Sequence, residues 1–455
     1  KNGKKVGTRS LMSFSTSAPL VMSQEPTYIL FKYALDGLDQ GLFLGGPTGE
    51  YADSIVQKAF ESQGNSLLPV EAARALNLWM YAVHELYQTV DNCRRKLLKD
   101  DDGVHSIDEV AAYYIGDSQQ TGSAEEGHSL YAYAEEIGEK FGQDKGGQTT
   151  ANVKIISLLN DAKTEISYPG ACTTSNDSYK RLRTIAHKII SQMTVPHIQQ
   201  LIYNLAVNDR ERVQLYAQAF VPLTAACNPG NFEFLRDKLM VEQYNVVDVD
   251  NIIRVIESTY QCLGLTCDDI GTYNDYGRDC VGTPELNPLA GYIPQTNVRK
   301  IAALDLDIQA IQIFMKERAY DAVRDYYTLG RHASMTTRIG DEVFSLKDLA
   351  TTSTRQIVPS FEYFKNYFGA EVDEIEDAAD YADHMISMAL DTDKLPLAST
   401  EQRTEIVVKT SQYMVVFMAA LEAMYEAIDD CRSNDSQRKA NAANEWDKAA
   451  AYLIG

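Results

Sequence analysis

The sequence predicts a mainly α-helical protein made of duplicated helical-bundle lobes, bilobal and with few or no strands. Three observations predict this fold class. Apolar residues recur at helical spacing along most of the chain, alternating strand patterns are scarce, and one domain-sized stretch occurs twice. The chain has 455 residues, which is long for one hydrophobic core, so more than one domain is expected.

The repeat is an ordered series of matches at a nearly constant offset. Four positions match at an offset of 338: Tyr87 with Tyr425, Asp91 with Asp429, Cys93 with Cys431 and Tyr114 with Tyr452. Upstream, "EYAD" from Glu50 matches "DYAD" from Asp380, and "SLMSFSTS" from Ser10 resembles "SLKDLATT" from Ser345. Such a series indicates that a whole domain has been duplicated.

The duplication predicts the domain organisation. Residues 1–200 form a first helical lobe, 201–300 a cysteine-containing helical segment and linker, and 301–455 a second helical lobe. The second copy lacks a counterpart of the segment after Gly116, so we expect the natural chain to continue past Gly455. We expect that continuation to supply a helix start like "TGSAEEGHSLYAYAEE" and a further cysteine.

The first lobe is predicted to be almost entirely helical. "VGTRSLMSFSTS" is the best candidate for a short strand. Apolar spacing predicts a long helix that runs from Ala73 to the segment "CRRKLL". Two capping boxes and one proline predict further helix starts: Ser106-x-x-Glu109, Ser123-x-x-Glu126 and Pro196.

The rest of the chain is predicted to be a linker followed by more helices. The stretch 267–296 is rich in Gly, Pro and Asn and is the best candidate for an inter-lobe linker. Two capping boxes predict later helix starts: Ser399-x-x-Gln402 and Asn444-x-x-Asp447, the second at the position equivalent to Ser106-x-x-Glu109. "YMVVFMAALEAMY" is the most apolar run, but Glu422 interrupts it, so no membrane span is expected.

Charge and motifs exclude several classes of function. The net charge of −22 opposes binding to nucleic acid, because phosphate recognition needs clusters of Lys and Arg. An acidic surface favours solubility or the accumulation of cations. The chain contains none of the motifs G-x-S-x-G, G-x-x-x-x-G-K-[ST], G-x-G-x-x-G or C-x-x-C. The protein is therefore predicted not to be an enzyme.

Seven cysteines leave one over if they form disulfides. If Cys93 pairs with Cys172, then Cys431 is expected to pair near the missing equivalent of Cys172. The four cysteines between Cys227 and Cys280 can form two further bridges. The alternative is a set of seven reduced, buried thiols in a cytosolic protein.

A stripe of Tyr and Asp residues is the first candidate metal site. His84, Tyr87 and Asp91 share one helix face, and the second copy places Glu422, Tyr425 and Asp429 there. Ferric iron is a hard cation that favours phenolate and carboxylate oxygen, with an occasional imidazole. The alternative is that each tyrosine ring packs in the core while its hydroxyl bonds a nearby carboxylate.

A second candidate lies in "GSAEEGHSLYAYAEE", where His128, Tyr131 and Glu135 are predicted to share a helix face. Free N–H groups at the start of that helix could hold an anion. The alternative for Glu126 is a plain capping role.

Three phrases, "AAYYIGDSQQTGSAEEGHSLYAYAEEIGEKFG", "EWDKAAAYLIG" and "YQCLGLTCDDIG", carry a family resemblance. They resemble the algal iron-assimilation (FEA-type) domains, a family that includes the diatom phytotransferrins. The resemblance implies an extracellular or cell-surface protein that captures Fe(III) with a carbonate-type anion and delivers it to membrane uptake machinery. It points to Tyr114, Glu126, His128 and Tyr131 as ligands.

Secretion also agrees with two glycosylation sequons, at Asn176 and Asn434. The competing hypothesis is an extracellular structural or adhesive protein of helical repeats that self-assembles and has no metal function.

Overall fold

The computed structural model describes most of the chain in two compact units, Lys1–Thr283 and Pro284–Gly455. The described residues are 10–16, 25–35, 51–62, 66–97, 102–173, 177–240, 248–273, 279–281, 289–337, 340–351 and 381–455. Glu50, Asp380 and the sequon residue Asn176, on which sequence predictions rest, lie outside these ranges.

The regular elements in the described part of the first unit are helices, joined by loops. Its α-helices are α1 Leu11–Thr16, α2 Pro26–Leu35, α3 Tyr51–Glu61, α4 Leu68–Ala72, α5 Trp79–Arg94, α6 Asp102–Ile115, α7 Leu130–Gly138, α8 Thr150–Ser167, α9 Asp177–Val207, α10 Arg210–Phe220, α11 Pro229–Leu239, α12 Val249–Ser258 and α13 Cys267–Ile270. A π-helix, Ala73–Leu78, joins α4 to α5, and short 3₁₀ turns follow α7 and α10.

Helix α9 is the centre of the first unit, and α5, α7, α8 and α10 pack around it. From Ile189 to Gln200 every residue of α9 is buried, polar ones included, so the helix shows no solvent-facing side there. The Trp79 indole N–H of α5 donates to the Met193 carbonyl at 3.1 Å, which ties the two helices together. Because α9 is enclosed by packing, it continues through Pro196.

The second unit combines helices with one small hairpin. Its elements are α14 Arg299–Ala302, α15 Leu304–Lys316, α16 Tyr320–Leu329, β1 Ser334–Thr337, β2 Gly340–Val343, α17 Leu346–Ala350, α18 Tyr381–Leu390, α19 Thr400–Thr410, the π-helix Ser411–Val416, α20 Phe417–Arg432 and α21 Ser436–Ile454. The antiparallel strands pair Ser334 with Val343 and Thr337 with Gly340. The prediction of a mainly α-helical chain with few strands is therefore confirmed.

Two consecutive elements have the same bounds in both units at the offset found in the sequence. The π-helices Ala73–Leu78 and Ser411–Val416 are 338 residues apart, and so are both ends of α5 and α20. π-Helices are rare, so their recurrence at one offset is informative. The duplication itself stays a prediction that these coincidences support.

Several local predictions were wrong, each because tertiary contacts dominate. The expected strand is helix α1, whose Phe14 ring stacks on Tyr81 with centroids 4.5 Å apart. Ser106 lies inside α6, where its hydroxyl accepts from the Asn92 amide at 3.5 Å rather than capping the helix. Pro196 is likewise inside α9.

The other capping boxes had different outcomes. Ser399 and Gln402 form the predicted reciprocal box at the start of α19. Asn444 and Asp447 lie inside α21, so the box predicted there was wrong. The Ser123 hydroxyl accepts from the Glu126 N–H at 3.0 Å, but this closes a turn before α7 begins.

Three disulfides are present: Cys93–Cys172, Cys227–Cys262 and Cys267–Cys280. The conditional pairing of Cys93 with Cys172 and the two bridges among the later four cysteines are confirmed. Cys431 is a free, exposed thiol. Three bridges indicate that the protein folds in an oxidising environment.

One helix in the described part of the chain, Thr400–Arg432, is long and apolar enough to cross a membrane by length and composition. Its most apolar window is 56% buried within the protein. Core helices of soluble proteins pass the same test, so this feature alone is weak support for a membrane span.

Candidate functional site

The seven predicted ligands lie at three places in the first unit. His84, Tyr87 and Asp91 are on α5, as their spacing predicted. Tyr114 is near the end of α6 and Tyr131 is in the first turn of α7. Glu126 and His128 lie in the loop between these two helices.

The first place is a buried pair formed by His84 and Glu25. The His84 Nδ1 atom lies 2.6 Å from Glu25 Oε1, and the two side chains are only 6% and 10% exposed. The second carboxylate oxygen, Glu25 Oε2, is buried and has no hydrogen-bond partner among the residues that the structure describes. A buried carboxylate oxygen without a partner is costly and uncommon.

The protonation of this pair is set by burial and neighbouring charge. The pKa of Glu25 is raised to about 7: burial is the main cause, His84 opposes it, and the negative charge of Asp91 contributes a little. For His84, burial alone would lower the pKa, but the hydrogen bond and charge of Glu25 outweigh it, so the pKa is raised. The pair therefore holds a proton readily near neutral pH.

Further carboxyl groups adjoin the pair. Burial, together with the nearby charge of Glu109, raises the pKa of Glu85 to about 7. The charges of Glu85 and Glu109 also favour the protonated form of His84. Glu109 accepts from His105 Nε2 at 2.9 Å. We call Glu25, His84, Glu85 and Glu109 the His84 cluster.

Tyr87 and Asp91 continue the same helix face. The Tyr87 hydroxyl lies 3.0 Å from Thr27 Oγ1, so Tyr87, like His84, contacts the start of α2. Asp91 pairs with Arg94 and with Arg95, the latter at 2.7 Å. Asp91 is therefore partly neutralised by guanidinium groups.

The second place is a hydrogen-bond network around Asn152. Tyr114 donates to Asn152 Oδ1, and the Asn152 amide donates to Glu135 Oε1 at 2.6 Å and to the Tyr131 carbonyl at 3.1 Å. The Tyr131 hydroxyl donates to Gln148 Oε1 at 3.2 Å and accepts from the Gly122 N–H. Burial raises the pKa of both phenols, which disfavours phenolate.

The third place is the loop that holds Glu126 and His128, both exposed to solvent. The predicted face of His128, Tyr131 and Glu135 does not form, because α7 begins only at Leu130. Tyr131 and Glu135 are buried, whereas His128 precedes the helix.

The sequence analysis missed the three carboxyl groups of the His84 cluster. Glu25 stands before a proline with no periodic pattern around it, Glu85 has no metal-ligand spacing, and Glu109 was assigned to a capping box. Of these three residues, only Glu85 could have been linked to His84 from the sequence, because it directly follows His84. Within the described residues, no group of three or more His, Cys, Asp and Glu is arranged to hold a metal ion.

No family model matches the chain, and no curated protein or solved structure is significantly similar to it.

Proposed function

We propose that the protein is an extracellular or cell-surface ferric-iron-binding protein for iron acquisition, and that the iron binds beside His84. Its protein ligands would be the Glu25 carboxylate, the His84 imidazole and the Tyr87 phenolate. A carbonate-type anion would supply further oxygen ligands. Membrane uptake machinery would then receive the iron.

The observation that carries the proposal is the buried Oε2 atom of Glu25 beside His84, which has no partner in the described part of the chain. A cation there would satisfy this oxygen and replace the proton that the pair holds. Carboxylate, phenolate and imidazole suit ferric iron. Two of these ligands are His or Glu and the third is Tyr, so such a site needs no cluster of three His, Cys, Asp and Glu residues.

Two properties of the whole chain support this proposal. The net charge of −22 attracts cations to the surface. The three disulfides agree with the oxidising extracellular space, where iron is ferric.

Ferric iron and bicarbonate added to the purified protein test the proposal. We expect a visible charge-transfer band from a Tyr–Fe(III) bond and iron that stays bound through desalting. A colourless, iron-free protein would contradict the proposed function.

Three variants test the location. Tyr87→Phe should abolish the band, and Glu25→Gln should weaken iron retention by at least about tenfold, the loss of one strong ligand. Tyr114→Phe is the matched control, because its phenol is engaged with Asn152. A band lost in Tyr114→Phe and kept in Tyr87→Phe would move the site to the Asn152 network.

The rival proposal is an extracellular structural or adhesive protein without metal function. The coinciding element bounds of α5 and α20 favour it, because repeated units can extend a chain. Filaments seen by electron microscopy, together with no stoichiometric metal, would select this function.

A further inference from the structure

Helix α20 and the π-helix before it carry an exposed apolar stripe. Tyr413, Phe417, Tyr425 and Ile428 are 64%, 40%, 36% and 37% exposed, and the exposed thiol of Cys431 ends the stripe. Their spacing of three, four or eight residues places them along one helix face. An exposed apolar stripe of this kind marks an interaction surface.

The equivalent stripe of the first unit is mostly buried. At the offset of 338, its positions are Ala75, Trp79, Tyr87, Val90 and Cys93. Ala75, Trp79, Val90 and Cys93 are at most 7% exposed, and Tyr87 is partly exposed. The same helix face is thus largely covered in one unit and open in the other.

Helix α9 and the segment before it cover the two ends of this face in the first unit, while Tyr87 contacts the start of α2. Trp79 donates to the Met193 carbonyl, and its ring packs on His197 with centroids 5.3 Å apart. At the other end, Cys93 is bonded to Cys172, five residues before α9 begins. These two contacts show that α9 runs antiparallel to α5.

The open face in the second unit borders a groove of about 420 Å³. α15, the π-helix, the start of α20 and the end of α21 line it, and its apolar residues include Ile308, Tyr413, Phe417 and Ile454. Phe417, which lines this groove, is the equivalent of Trp79. In the first unit, the Trp79 position is the one that contacts α9.

The charges on α20 indicate what kind of helix could dock on the stripe. α20 carries three carboxylates that are at least partly exposed, Glu422, Glu426 and Asp429, against one basic residue, Arg432. Its fourth carboxylate, Asp430, is buried and paired with Arg438. In the first unit, the early turns of α9 contain four basic residues, Lys180, Arg181, Arg183 and Lys188. A basic amphipathic helix therefore complements α20 in both charge and apolar surface.

We propose that the stripe from Tyr413 to Cys431 is the docking surface for a basic amphipathic helix preceded by a cysteine, and that this cysteine bonds to Cys431. The partner repeats the role that Cys172 and α9 have in the first unit. Formation of the bond oxidises two thiols to one disulfide. A small disulfide such as oxidised glutathione accepts the two electrons and two protons and becomes two thiols.

A synthetic peptide with the sequence of residues 168–207 is the probe, mixed with the full 455-residue chain in a glutathione redox buffer. We expect a mixed disulfide between the peptide's cysteine and Cys431, identified by peptide mapping. The same peptide with its cysteine replaced by serine should still bind, as measured by fluorescence anisotropy.

Surface variants separate specific docking from thiol reactivity. Tyr413→Asp and Ile428→Asp should each lower the yield of mixed disulfide at least about tenfold, because they place a charge in the apolar contact. Leu397→Asp is the control, since Leu397 is 97% exposed and outside the stripe. Circular dichroism checks that each variant is folded.

Four results would overturn the proposal. The first is no association between the chain and the peptide, and the second is a yield of mixed disulfide in Tyr413→Asp equal to that of the unchanged chain. The third is a Cys431–Cys431 dimer that excludes the peptide, and the fourth is binding of the stripe to neutral lipid vesicles instead of the peptide. The third result identifies a second copy of the chain as the occupant, and the fourth identifies a membrane.

Discussion

His197 is fully buried in the first unit, between the rings of Trp79 and Tyr133. Burial lowers its pKa to about 3, and a backbone contact with Ala75 opposes this only in part. The folded-state pKa is thus below the value of about 6.5 in the unfolded chain. The neutral side chain contributes stability above pH 6.5 that is lost as pH falls toward 3.

Replacement of His197 by Leu should remove this acid sensitivity. We expect the free energy of unfolding to fall less steeply between pH 6 and pH 4, by about 1.4 kcal/mol per pH unit. Urea titrations at several pH values measure the slope. Ile198→Val is the control, expected to cost about 1 kcal/mol at every pH. An unchanged slope in His197→Leu would show that other groups set the acid sensitivity.

The sequence could predict part of the candidate site at the scale of single residues. His84, Tyr87 and Asp91 lie on one helix, because helical period alone decides that. Glu25 could not be predicted, since its contact with His84 joins residues 59 positions apart and depends on how α2 packs against α5. His128 was misplaced because the start of α7 is later than the local pattern indicates.

At the scale of elements, the Ser399 capping box was predicted from the sequence and forms as predicted. Its hydroxyl accepts from the Gln402 N–H at 3.2 Å, and the Gln402 side chain accepts from the Ser399 N–H at 2.8 Å. Capping succeeds here because both partners are exposed and no other element competes for them. Ser106 fails as a cap because Asn92 of α5 engages its hydroxyl.

Ser399→Ala should therefore destabilise the start of α19 by about 1 kcal/mol. Faster hydrogen exchange at the backbone amides of the first turn, Gln402 included, would report this loss. Glu405→Ala, an exposed change within the same helix, should alter stability by less than about 0.5 kcal/mol. Equal exchange in the two variants would show that the box contributes nothing.

At the scale of the whole molecule, the bridge between Cys93 and Cys172 closes the longest of the three disulfide loops, with a sequence separation of 79. The odd number of cysteines, their spacing and the repeat made the pairing of Cys93 with Cys172 a reasonable prediction. The division of the chain at Thr283 lies within the stretch 267–296, which its Gly, Pro and Asn content indicated as the inter-lobe linker. Its exact position depends on which contacts cross the boundary, and local composition does not give that.

Removal of this bridge by the double change Cys93→Ser and Cys172→Ser should lower the free energy of unfolding by about 4 kcal/mol in the chain-entropy model. Denaturant unfolding under non-reducing conditions measures the loss. Cys431→Ser is the matched control and should change stability little, because that thiol is free and exposed. A similar loss in both variants would contradict the assignment of the bridges.

The three disulfides also have a consequence for how the chain is made. Each bridge joins two cysteines that are consecutive in the sequence, and no loop encloses another. As the polypeptide leaves the ribosome from its N-terminus, every cysteine meets its correct partner before the next pair emerges. Six cysteines allow fifteen pairings, yet the order of emergence alone selects this one. We expect oxidative folding to need little correction by a disulfide isomerase.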